Sequence, residues 1–401
     1  MIAAYAATED GAKVLLLEKN EKLGKKLYIT GKGRCNITNA ADIKEFFVNI
    51  TRNPKFLMSA FNSFGNKDLI DLLNEHGLKT KTERGGRVFP VSDKSSDVTS
   101  TLAKLLKNSG AEVKLNQTVK SIKKENDVFI IKTSDDEYCA KNVVIATGGV
   151  SYPATGSTGD GYLFAEAFSH TVKDLKPALT PIIEKGSLCK QMQGLTLNNV
   201  GFKLKADDKI LYEGIGELLF THFGLSGPLA LTASCYLYDI DNLKSANLIG
   251  EIDLKPALTK EKLKKRILRD LEANQNKQLK TYLKELLPSK MIDPFIKKSR
   301  LNGALPLNSM TKEMRDRLID NLKCFKVELK DTADFKEAII TAGGINTKEI
   351  NPKTMESKLT DGLFFAGEVI DISALTGGYN LQIAFSTGYA AGKAAADKML
   401  H

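Results

Sequence analysis

The segment Asp361-Gly-Leu-Phe-Phe-Ala-Gly-Glu-Val-Ile-Asp371 and the turn Thr376-Gly-Gly-Tyr-Asn-Leu-Gln382 after it carry the clearest signal for the fold. The first is typical of a buried strand that ends in Gly367-Glu368, and the second of a glycine turn that enters a helix. The helix is predicted from about Tyr379 to Met399. Small residues would let it pack closely on a sheet, namely Ala384, Gly388, Ala391, Gly392 and Ala395. The order strand, turn, helix predicts one unit of a Rossmann-like α/β fold.

The N-terminal end has a matching pattern. Ile2 to Ala7 is alanine-rich, Asp10-Gly11 is a turn, and Lys13-Val-Leu-Leu-Leu-Glu18 is typical of a buried parallel strand. In a Rossmann unit, an acid at this strand end accepts hydrogen bonds from ribose hydroxyls. A surface acid at a strand end is the simpler interpretation of Glu18. The length and polarity of the preceding helix, turn and strand favour the ligand role.

A glycine-rich basic loop follows in Gly24-Lys-Lys-Leu-Tyr-Ile-Thr-Gly-Lys-Gly-Arg-Cys-Asn36. Gly31 and Gly33 permit positive φ angles or a close approach of the backbone to a ligand. The basic side chains beside them, which suit a pyrophosphate, are Lys25, Lys32 and Arg34. A tight basic surface loop is the alternative, but the density of Gly, Arg, Cys and Asn favours a ligand loop.

Two more glycine turns stand at places where ligands bind in α/β proteins. Ala146-Thr-Gly-Gly149 ends the apolar strand that begins at Val143, and such strand ends face the ligand crevice. Thr155-Gly-Ser-Thr-Gly-Asp-Gly-Tyr162 opens a helix, whose first N–H groups and positive dipole end attract anions. Either turn also fits an ordinary loop and helix cap, and the sequence leaves both interpretations open.

The C-terminal segment suits one kind of nucleotide. A strand that ends in Gly-Glu can hold the ribityl chain of a flavin through Glu368. A helix that begins at Gly378-Tyr379 directs its positive end at the flavin pyrimidine ring, where negative charge develops at N1 on reduction. The alternative is a tightly packed Rossmann helix without a cofactor.

The middle of the chain has a different texture. From about Pro177, short alternating runs predict β structure, and from Thr259 the apolar period becomes helical. After Asp334 the α/β pattern returns. The sequence therefore predicts an α/β protein with a discontinuous Rossmann-like nucleotide-binding domain (1–176 and 332–401), an inserted β-rich domain (177–256 and 322–331) and a small helical subdomain (257–321).

The composition limits the class of protein. Hydrophobic residues at 42% and charged residues at 26% make disorder unexpected. No stretch approaches the roughly 18 to 20 apolar residues of a membrane span, and no basic region resembles a secretory signal. The five cysteines are scattered and form no CxxC pair, which argues against a disulfide framework and a zinc site. We expect a cytoplasmic protein with no metal and no membrane partner.

The net charge of +10 has two interpretations. A basic protein can bind nucleic acid, or its surface can simply be rich in lysine. Lysines occur along most of the chain, and the densest stretch, Lys255 to Arg300, interleaves with a helical apolar stripe, so the solvated surface is favoured. This stretch has one aromatic residue, Tyr282, before Phe295, which is poor for base stacking. We therefore expect a small-molecule substrate, with a tRNA-associated flavoprotein as the alternative.

Six motifs in combination point to one family. They are Thr-Gly-Lys-Gly-Arg-Cys-Asn-Ile-Thr-Asn (30–39), Gly-Arg-Val-Phe-Pro (86–90), Ala-Thr-Gly-Gly (146–149), Thr-Gly-Ser-Thr-Gly-Asp-Gly (155–161), Gly-Glu-Leu-Leu-Phe-Thr-His-Phe-Gly-Leu-Ser-Gly-Pro (216–228) and Gly-Gly-Tyr-Asn-Leu-Gln-x-Ala (377–384). Over nearly its whole length the chain resembles the BaiN/YhiN-type NAD(P)/FAD-dependent oxidoreductases, also known as the aminoacetone oxidase family. The resemblance implies FAD, an inserted β-barrel and a helical subdomain. It also implies reduction of an activated C=C bond or oxidation of a small amine, with NAD(P)H as a transient reductant.

The motifs and the resemblance together define the candidate cofactor-binding residues. They are Glu18, Lys19, Lys25, Thr30, Gly31, Gly33, Arg34, Cys35, Asn36, Val119, Ala146, Thr147, Gly148, Gly149, Asp160, Gly367, Glu368, Gly378, Tyr379, Asn380, Leu381 and Gln382. Members of the family also carry a Gly-x-Gly-x-x-Gly loop between a first strand and the first helix, and this chain begins at that helix. We expect the native polypeptide to start upstream. We also expect the chain as written to bind FAD weakly or to fold poorly, since buried backbone groups without partners are costly.

Three side chains are candidates for catalysis. His222 could act as an acid or base, although a lone histidine is more often structural. Cys35 could face the isoalloxazine ring, but it has no CxxC partner, and a small buried thiol is the favoured interpretation. Tyr379 either donates a proton or caps the helix.

Overall fold

The computed structural model describes residues 1–240, 242–243 and 245–400. The chain forms two compact units, of which the first is Met1–Pro177 with the chain from Phe335 onward and the second is Ala178–Asp334. The two ends of the polypeptide therefore build one unit. The boundaries predicted near residues 176, 256, 321 and 331 stay a prediction.

Helices and strands alternate through most of the chain. The helices are α1 (Ile2–Glu9), α2 (Lys25–Ile29), α3 (Ile43–Val48), α4 (Pro54–Ser63), α5 (Asn66–Glu75), α6 (Ser95–Ser109), α7 (Asp160–Ala167), α8 (Leu188–Gln191), α9 (Gly227–Ser234), α10 (Lys260–Ala273), α11 (Leu279–Leu283), α12 (Ser289–Lys298), α13 (Lys312–Lys323) and α14 (Tyr379–Leu400). The strands are β1 (Leu15–Leu17), β2 (Thr38–Asn39), β3 (Ile50–Arg52), β4 (Thr80–Thr82), β5 (Arg87–Pro90), β6 (Glu112–Lys114), β7 (Val119–Glu125), β8 (Val128–Thr133), β9 (Glu137–Ala140), β10 (Val143–Ile145), β11 (Val172–Ala178), β12 (Ile182–Glu184), β13 (Thr196–Ala206), β14 (Lys209–Phe220), β15 (Gly224–Ser226), β16 (Leu248–Asp253), β17 (Phe325–Thr332), β18 (Ile340–Ile345), β19 (Leu363–Phe365) and β20 (Ser373–Ala374). None of the described helices is both long enough and apolar enough to cross a bilayer.

Parallel strand pairs mark the first unit as α/β. β1 pairs with β6, and β10 pairs with β19 so that Val143 lies opposite Leu363. The strand predicted at Lys13–Glu18 is shorter than expected, because only its three leucines pair with β6. Phe364 and Phe365 of β19 are fully buried. This arrangement confirms the predicted α/β fold.

The close packing expected of α14 is concentrated at one glycine. A Cβ atom at Gly392 would overlap the backbone of Ala3 in α1, whereas a Cβ at Gly388 would lie 3.7 Å from its nearest neighbour, the Ala3 N atom. An ion pair between Lys393 and Asp10 joins the same two helices. The helices therefore meet backbone to backbone at Gly392.

We expect Gly392→Ala to lower the free energy of unfolding by about 1–3 kcal/mol, because α1 and α14 must move apart to admit the methyl group. Gly388→Ala is the matched control, one helical turn earlier. It should leave stability unchanged or raise it by up to about 1 kcal/mol, since alanine favours helix over glycine. Urea unfolding measures both variants, and equal losses in the two would contradict the backbone contact at Gly392.

The second unit contains a closed barrel in the strand order β12-β15-β14-β13-β16-β17. β13 lies between β14 and β16, with Phe202 opposite Gly214 on one side and Ile252 on the other. Phe202 and Phe220 are fully buried, as alternation along barrel strands requires. The closed barrel confirms the β-barrel that the resemblance implied.

The helices of the same unit follow the predicted period. Leu263, Ile267 and Leu271 are the buried residues of α10. The hydroxyls of Thr259 and Thr311 accept from the third backbone N–H of α10 and α13 respectively, both at 3.3 Å. Threonine at each N-cap satisfies one N–H group that has no partner within the helix.

Candidate functional site

The glycine-rich loop forms a tight turn with left-handed backbone. Gly31, Lys32, Gly33 and Cys35 have φ angles of 58°, 57°, 82° and 58°. The turn is closed by a hydrogen bond from Cys35 N to Thr30 O of 3.1 Å. Glycine adopts these angles without steric cost, whereas Lys32 and Cys35 are strained. Such strain in a turn is characteristic of a ligand loop.

The loop region meets the start of α14. Thr38 Oγ1 donates to Gln382 Oε1 at 2.7 Å, and Asn39 Nδ2 donates to Gly377 O at 3.0 Å. At Gly378, where φ is +98°, a Cβ atom would overlap the carbonyl of Thr38. Segments more than 330 residues apart in sequence therefore lie in backbone contact, as the sequence predicted.

The side chains at the start of α14 are mostly bonded to the protein itself. Asn380 accepts from Ala374 N at 2.9 Å and donates to Ala374 O at 2.8 Å. Gln382 also donates to Ser386 Oγ at 3.0 Å. Leu381 is half-buried. Of the residues 378–382, the groups left to face a ligand are the N–H groups of the first turn, which have no partner within the helix.

Glu368 lies at the centre of a polar cluster. Its carboxylate accepts from Lys26 Nζ at 2.5 Å, Ser151 Oγ at 3.0 Å and Thr341 N at 2.8 Å. The 146–149 turn is adjacent, because a Cβ at Gly149 would lie 3.3 Å from Glu368 Oε1. Gly367 and the residues Ala146, Thr147, Gly148 and Gly149 are thus brought together with Glu368, and their contact with a cofactor stays a prediction.

The sequence reasoning missed Lys26, Ser151 and Thr341. The sequence predicts Lys25, and not Lys26, as a ligand of the cofactor. Consecutive helical residues point about 100° apart, so Lys25 pairs with Glu21 at 2.7 Å while Lys26 reaches Glu368. Ser151 follows the glycine turn by two residues, which was a usable signal. Thr341 precedes Gly343-Gly344, and nothing in its local pattern indicates a partner at Glu368.

A second cluster joins the end of β1 to the loop before α7. Glu18 Oε1 accepts from both nitrogens of Asn20, whose side chain also donates to Thr155 O at 3.0 Å. Lys19 Nζ bonds Thr158 Oγ1 at 2.6 Å and Asp160 Oδ2 at 2.5 Å. Glu18, Lys19 and Asp160 are therefore neighbours. Val119 begins β7, opposite Thr133.

Arg34 is committed to neighbouring carboxylates. Its Nη2 atom lies 2.5 Å from Glu83 Oε1 and 2.5 Å from Asp93 Oδ1, and its guanidinium stacks 4.2 Å from the ring centre of Phe89. The hydrogen bonds to Glu83 and Asp93 raise the pKa of Arg34. Lys32 of the same loop is exposed and makes no ion pair with any residue described by the structure. Within this loop, Lys32 is the charge best placed to meet an anion.

Two buried groups in the loop bear on catalysis and on ligand binding. Cys35 is fully buried, and burial raises the pKa of its thiol to about 11, so the thiol is neutral at physiological pH and a poor nucleophile. Asn36 Oδ1 is buried and has no hydrogen-bond partner among the described residues. An orphan acceptor of this kind fits a loop that donor groups of a ligand complete.

Tyr379 is buried at the entrance of α14. Only 6% of its surface is exposed, and its ring lies edge-on to Phe46 at 4.9 Å. Burial raises the pKa of its phenol. The packing explains the residue without a catalytic role, and that role stays a prediction.

His222 lies in the second unit, in the turn between β14 and β15. It is exposed, and its ring stands edge-on to Phe223 at 4.7 Å. Thr221 Oγ1 accepts from Gly224 N at 3.0 Å and holds the turn. The catalytic role of His222 stays a prediction. Across the part of the chain that the structure describes, no three His, Cys, Asp or Glu side chains are grouped to hold a metal ion.

Comparison with known proteins places the chain. A family model described as the HI0933-like protein Rossmann domain matches residues 1–394. A 3-dehydro-bile acid delta(4,6)-reductase of Clostridium scindens is 31% identical over 99% of this chain and 96% of its own length. A ribosomal RNA dihydrouridine synthase of Escherichia coli K12 is 31% identical over 97% of this chain and 94% of its own length.

The fold is shared more widely. An open-conformation flavocytochrome c3 fumarate reductase superposes with a TM-score of 0.52 at 18% identity, over 100% of this chain and 76% of that one. The family model and the reductase relative confirm the predicted class of enzyme, an FAD-dependent oxidoreductase. Because the family model and both relatives cover almost all of its residues, the chain belongs to the HI0933-like Rossmann-domain family.

Proposed function

We propose that the protein reduces a C=C bond conjugated to a carbonyl group, and that its substrate is a uracil base in RNA. The observation that carries the proposal is the chemistry common to the relatives' names. A delta(4,6)-reductase of a 3-oxo steroid and a dihydrouridine synthase both saturate a C=C bond conjugated to a carbonyl. The charge alone does not favour RNA over a small molecule. We favour uracil over a bile acid because one relative is named for an RNA substrate and the net charge of +10 suits the polyanionic RNA backbone.

The reaction adds two hydrogens across the double bond. A reduced nicotinamide gives a hydride, a proton comes from an acid or water, and the nicotinamide leaves oxidised. When bound, FAD supplies the hydride transfer that links these two partners.

The residues present fit this cofactor. The left-handed turn at 31–36 leads directly into Thr38, which contacts Gly378 and Gln382 at the first turn of α14. N–H groups of a first helical turn suit the phosphates of a nucleotide. Lys26 compensates the charge of Glu368 at 2.5 Å, and Ser151 and Thr341 fix its carboxylate. The 31–36 turn, the first turn of α14 and the fixed Glu368 carboxylate would hold and orient the cofactor. Of the three candidate catalytic side chains, Cys35 is disfavoured by its burial.

The test uses the purified protein with its flavin spectrum recorded first. The protein is incubated anaerobically with NADPH or NADH and unmodified ribosomal RNA made by transcription. We expect one or a few uracils to gain two hydrogens, measured by mass spectrometry of RNA digests. A parallel anaerobic reaction contains a bile acid with a 3-oxo-4,6-diene in place of the RNA. A further reaction contains a small primary amine without nicotinamide and in air, so that O2 can accept the two electrons. Consumption of either without change in the RNA would overturn the RNA substrate, and amine oxidation alone would overturn the reductase.

A further inference from the structure

The positive charge of the chain is concentrated in one segment. Residues 257–321 contain sixteen Lys and Arg against eight Asp and Glu, a net charge of +8 within the total of +10. The remainder of the chain is therefore nearly neutral. Lysines are spread along the sequence, but outside this segment acidic residues balance them.

Helix α10 divides its basic side chains between two faces. Lys260 and Lys264 point toward α13, where they pair with Asp320 at 2.5 Å and Asp316 at 3.3 Å. On that face the positive charge is compensated. The outer face carries Lys262, Lys265, Arg266 and Arg269, which we call the basic stripe.

The acidic side chains that contact the basic stripe do not balance its positive charge. Its spacing of i, i+3, i+4 and i+7 places all four side chains on one side of the helix. Lys262 and Lys265 are exposed and form no ion pair with the described residues. Arg266 and Arg269 share one carboxylate, that of Asp270, at 3.6 Å each, and Asp270 also accepts from Tyr282 at 3.2 Å. The guanidinium groups of Arg266 and Arg269 thus share one carboxylate, which also accepts a hydrogen bond from the Tyr282 phenol.

Neighbouring groups leave the stripe positive. The pKa of Lys255 is lowered first by burial and then by the positive charge of Arg266. Because Lys255 is close enough to feel that charge, a fifth basic group lies beside the basic stripe. Glu261 and Glu272 flank it, one on each end. Glu261 is engaged with Thr259 and the backbone at the start of the helix, which lowers the pKa of its carboxyl.

We propose that the basic stripe docks the phosphate backbone of RNA, an inference that rests on the proposed function. The four side chains lie between residues 262 and 269, seven steps or about 10.5 Å along the helix, which allows contact with more than one phosphate. Phosphate contacts position a nucleic acid without reading its sequence, and the absence of aromatic residues from the stripe agrees with this role. The stripe thus supplies affinity, and the cofactor site supplies chemistry.

An anionic membrane fits the stripe less well. A membrane-surface helix buries an apolar face beside its charges. In α10 the apolar face is already used, since Leu263 and Ile267 are fully buried and Leu271 is 7% exposed. The outer face offers charge alone, which suits a polyelectrolyte.

The experiment compares the protein, supplied with excess FAD, with two charge-matched variants. The first is K262Q/K265Q/R266Q/R269Q, and the control is K44Q/K67Q/K104Q/K107Q, which removes four exposed lysines from α3, α5 and α6. Binding to transcribed ribosomal RNA is measured between roughly 50 and 200 mM salt. We expect the stripe variant to bind about tenfold more weakly at about 100 mM salt, and the difference to grow at lower salt, because the loss of up to four phosphate contacts reduces the salt slope by about 3. The control should stay within about twofold of wild type, since it removes none of these contacts.

Two outcomes would overturn the docking surface. One is equal weakening in both variants, which would show that only total charge matters. The other is unchanged RNA binding by the stripe variant, whether or not it loses binding to vesicles of anionic phospholipid. Reduction of a small carbonyl-conjugated alkene by both variants is measured separately, so that failure of the stripe is distinguished from failure of the proposed reaction.

Discussion

Replacing Asp371 with alanine is expected to lower the free energy of unfolding by about 3–5 kcal/mol, the usual cost of removing one partner of a buried ion pair. Asp371 is only 3% exposed. Its carboxylate accepts from Arg52 Nε, from Arg52 Nη2 at 2.9 Å and from Asn53 Nδ2 at 3.1 Å. The substitution leaves the Arg52 guanidinium half-buried without this carboxylate. It also loosens the pairing of β3 with β20, which the ion pair spans.

The matched control is Glu137→Ala. Glu137 pairs with Lys132 across β8 and β9 at 3.0 Å, but these side chains are 51% and 56% exposed. Breaking such a surface pair should cost less than about 1 kcal/mol. Urea unfolding of both variants, followed by circular dichroism, decides the matter. A loss for Asp371→Ala no larger than that for Glu137→Ala would contradict a stabilising role for the buried pair. Arg52→Ala/Asp371→Ala should recover part of the loss, because the guanidinium that Asp371 offsets is then removed as well.

Local signals explain why much of the fold could be predicted. Glycine marks the ends of helices where the backbone must turn left-handed, as at Gly110, whose φ of +86° ends α6. Helical period identified the buried face of α10, and alternation identified the barrel strands. In each case the signal lies within a few residues of the feature. Local sequence is therefore enough to predict element type. That the two glycine-rich ends of the chain bind one ligand stays a prediction.

Pairings between distant side chains could not be predicted in the same way. Glu368 was expected to face the cofactor, yet its partners come from residues 26, 151 and 341. Asp371 and Arg52 each look like ordinary surface charges in sequence. Which lysine of a pair meets which acid depends on the rotation of a helix about its axis, and tertiary packing sets that rotation. The same is true of α10, where Lys260 and Lys264 form ion pairs with described residues, and Lys262 and Lys265, which lie between and beside them in sequence, do not.

Gly378→Ala is expected to weaken FAD binding about 100-fold. An alanine at φ of +98° is strained by about 1–2 kcal/mol. Its Cβ would also overlap the Thr38 carbonyl, and displacing that backbone adds about 1–3 kcal/mol. Thr38 and Gln382 would then separate, so the segment that follows the 31–36 loop would lose its contact with the first turn of α14. A loss of about 3 kcal/mol in the bound state corresponds to the expected fall in affinity.

Gly110→Ala is the matched control, because it introduces the backbone strain of a positive φ without the overlap that Gly378→Ala causes at Thr38. Its φ is also positive, at +86°, but a Cβ there has no atom within 4 Å. Gly110→Ala should therefore lose about 1 kcal/mol of stability and keep its flavin. Flavin content after gel filtration and the Kd from quenching of flavin fluorescence are measured for both variants. If Gly378→Ala retains FAD as well as Gly110→Ala does, the two ends of the chain do not hold the cofactor jointly. If only Gly378→Ala loses it, the contact between Gly378 and Thr38 is what makes two distant glycine motifs into one site.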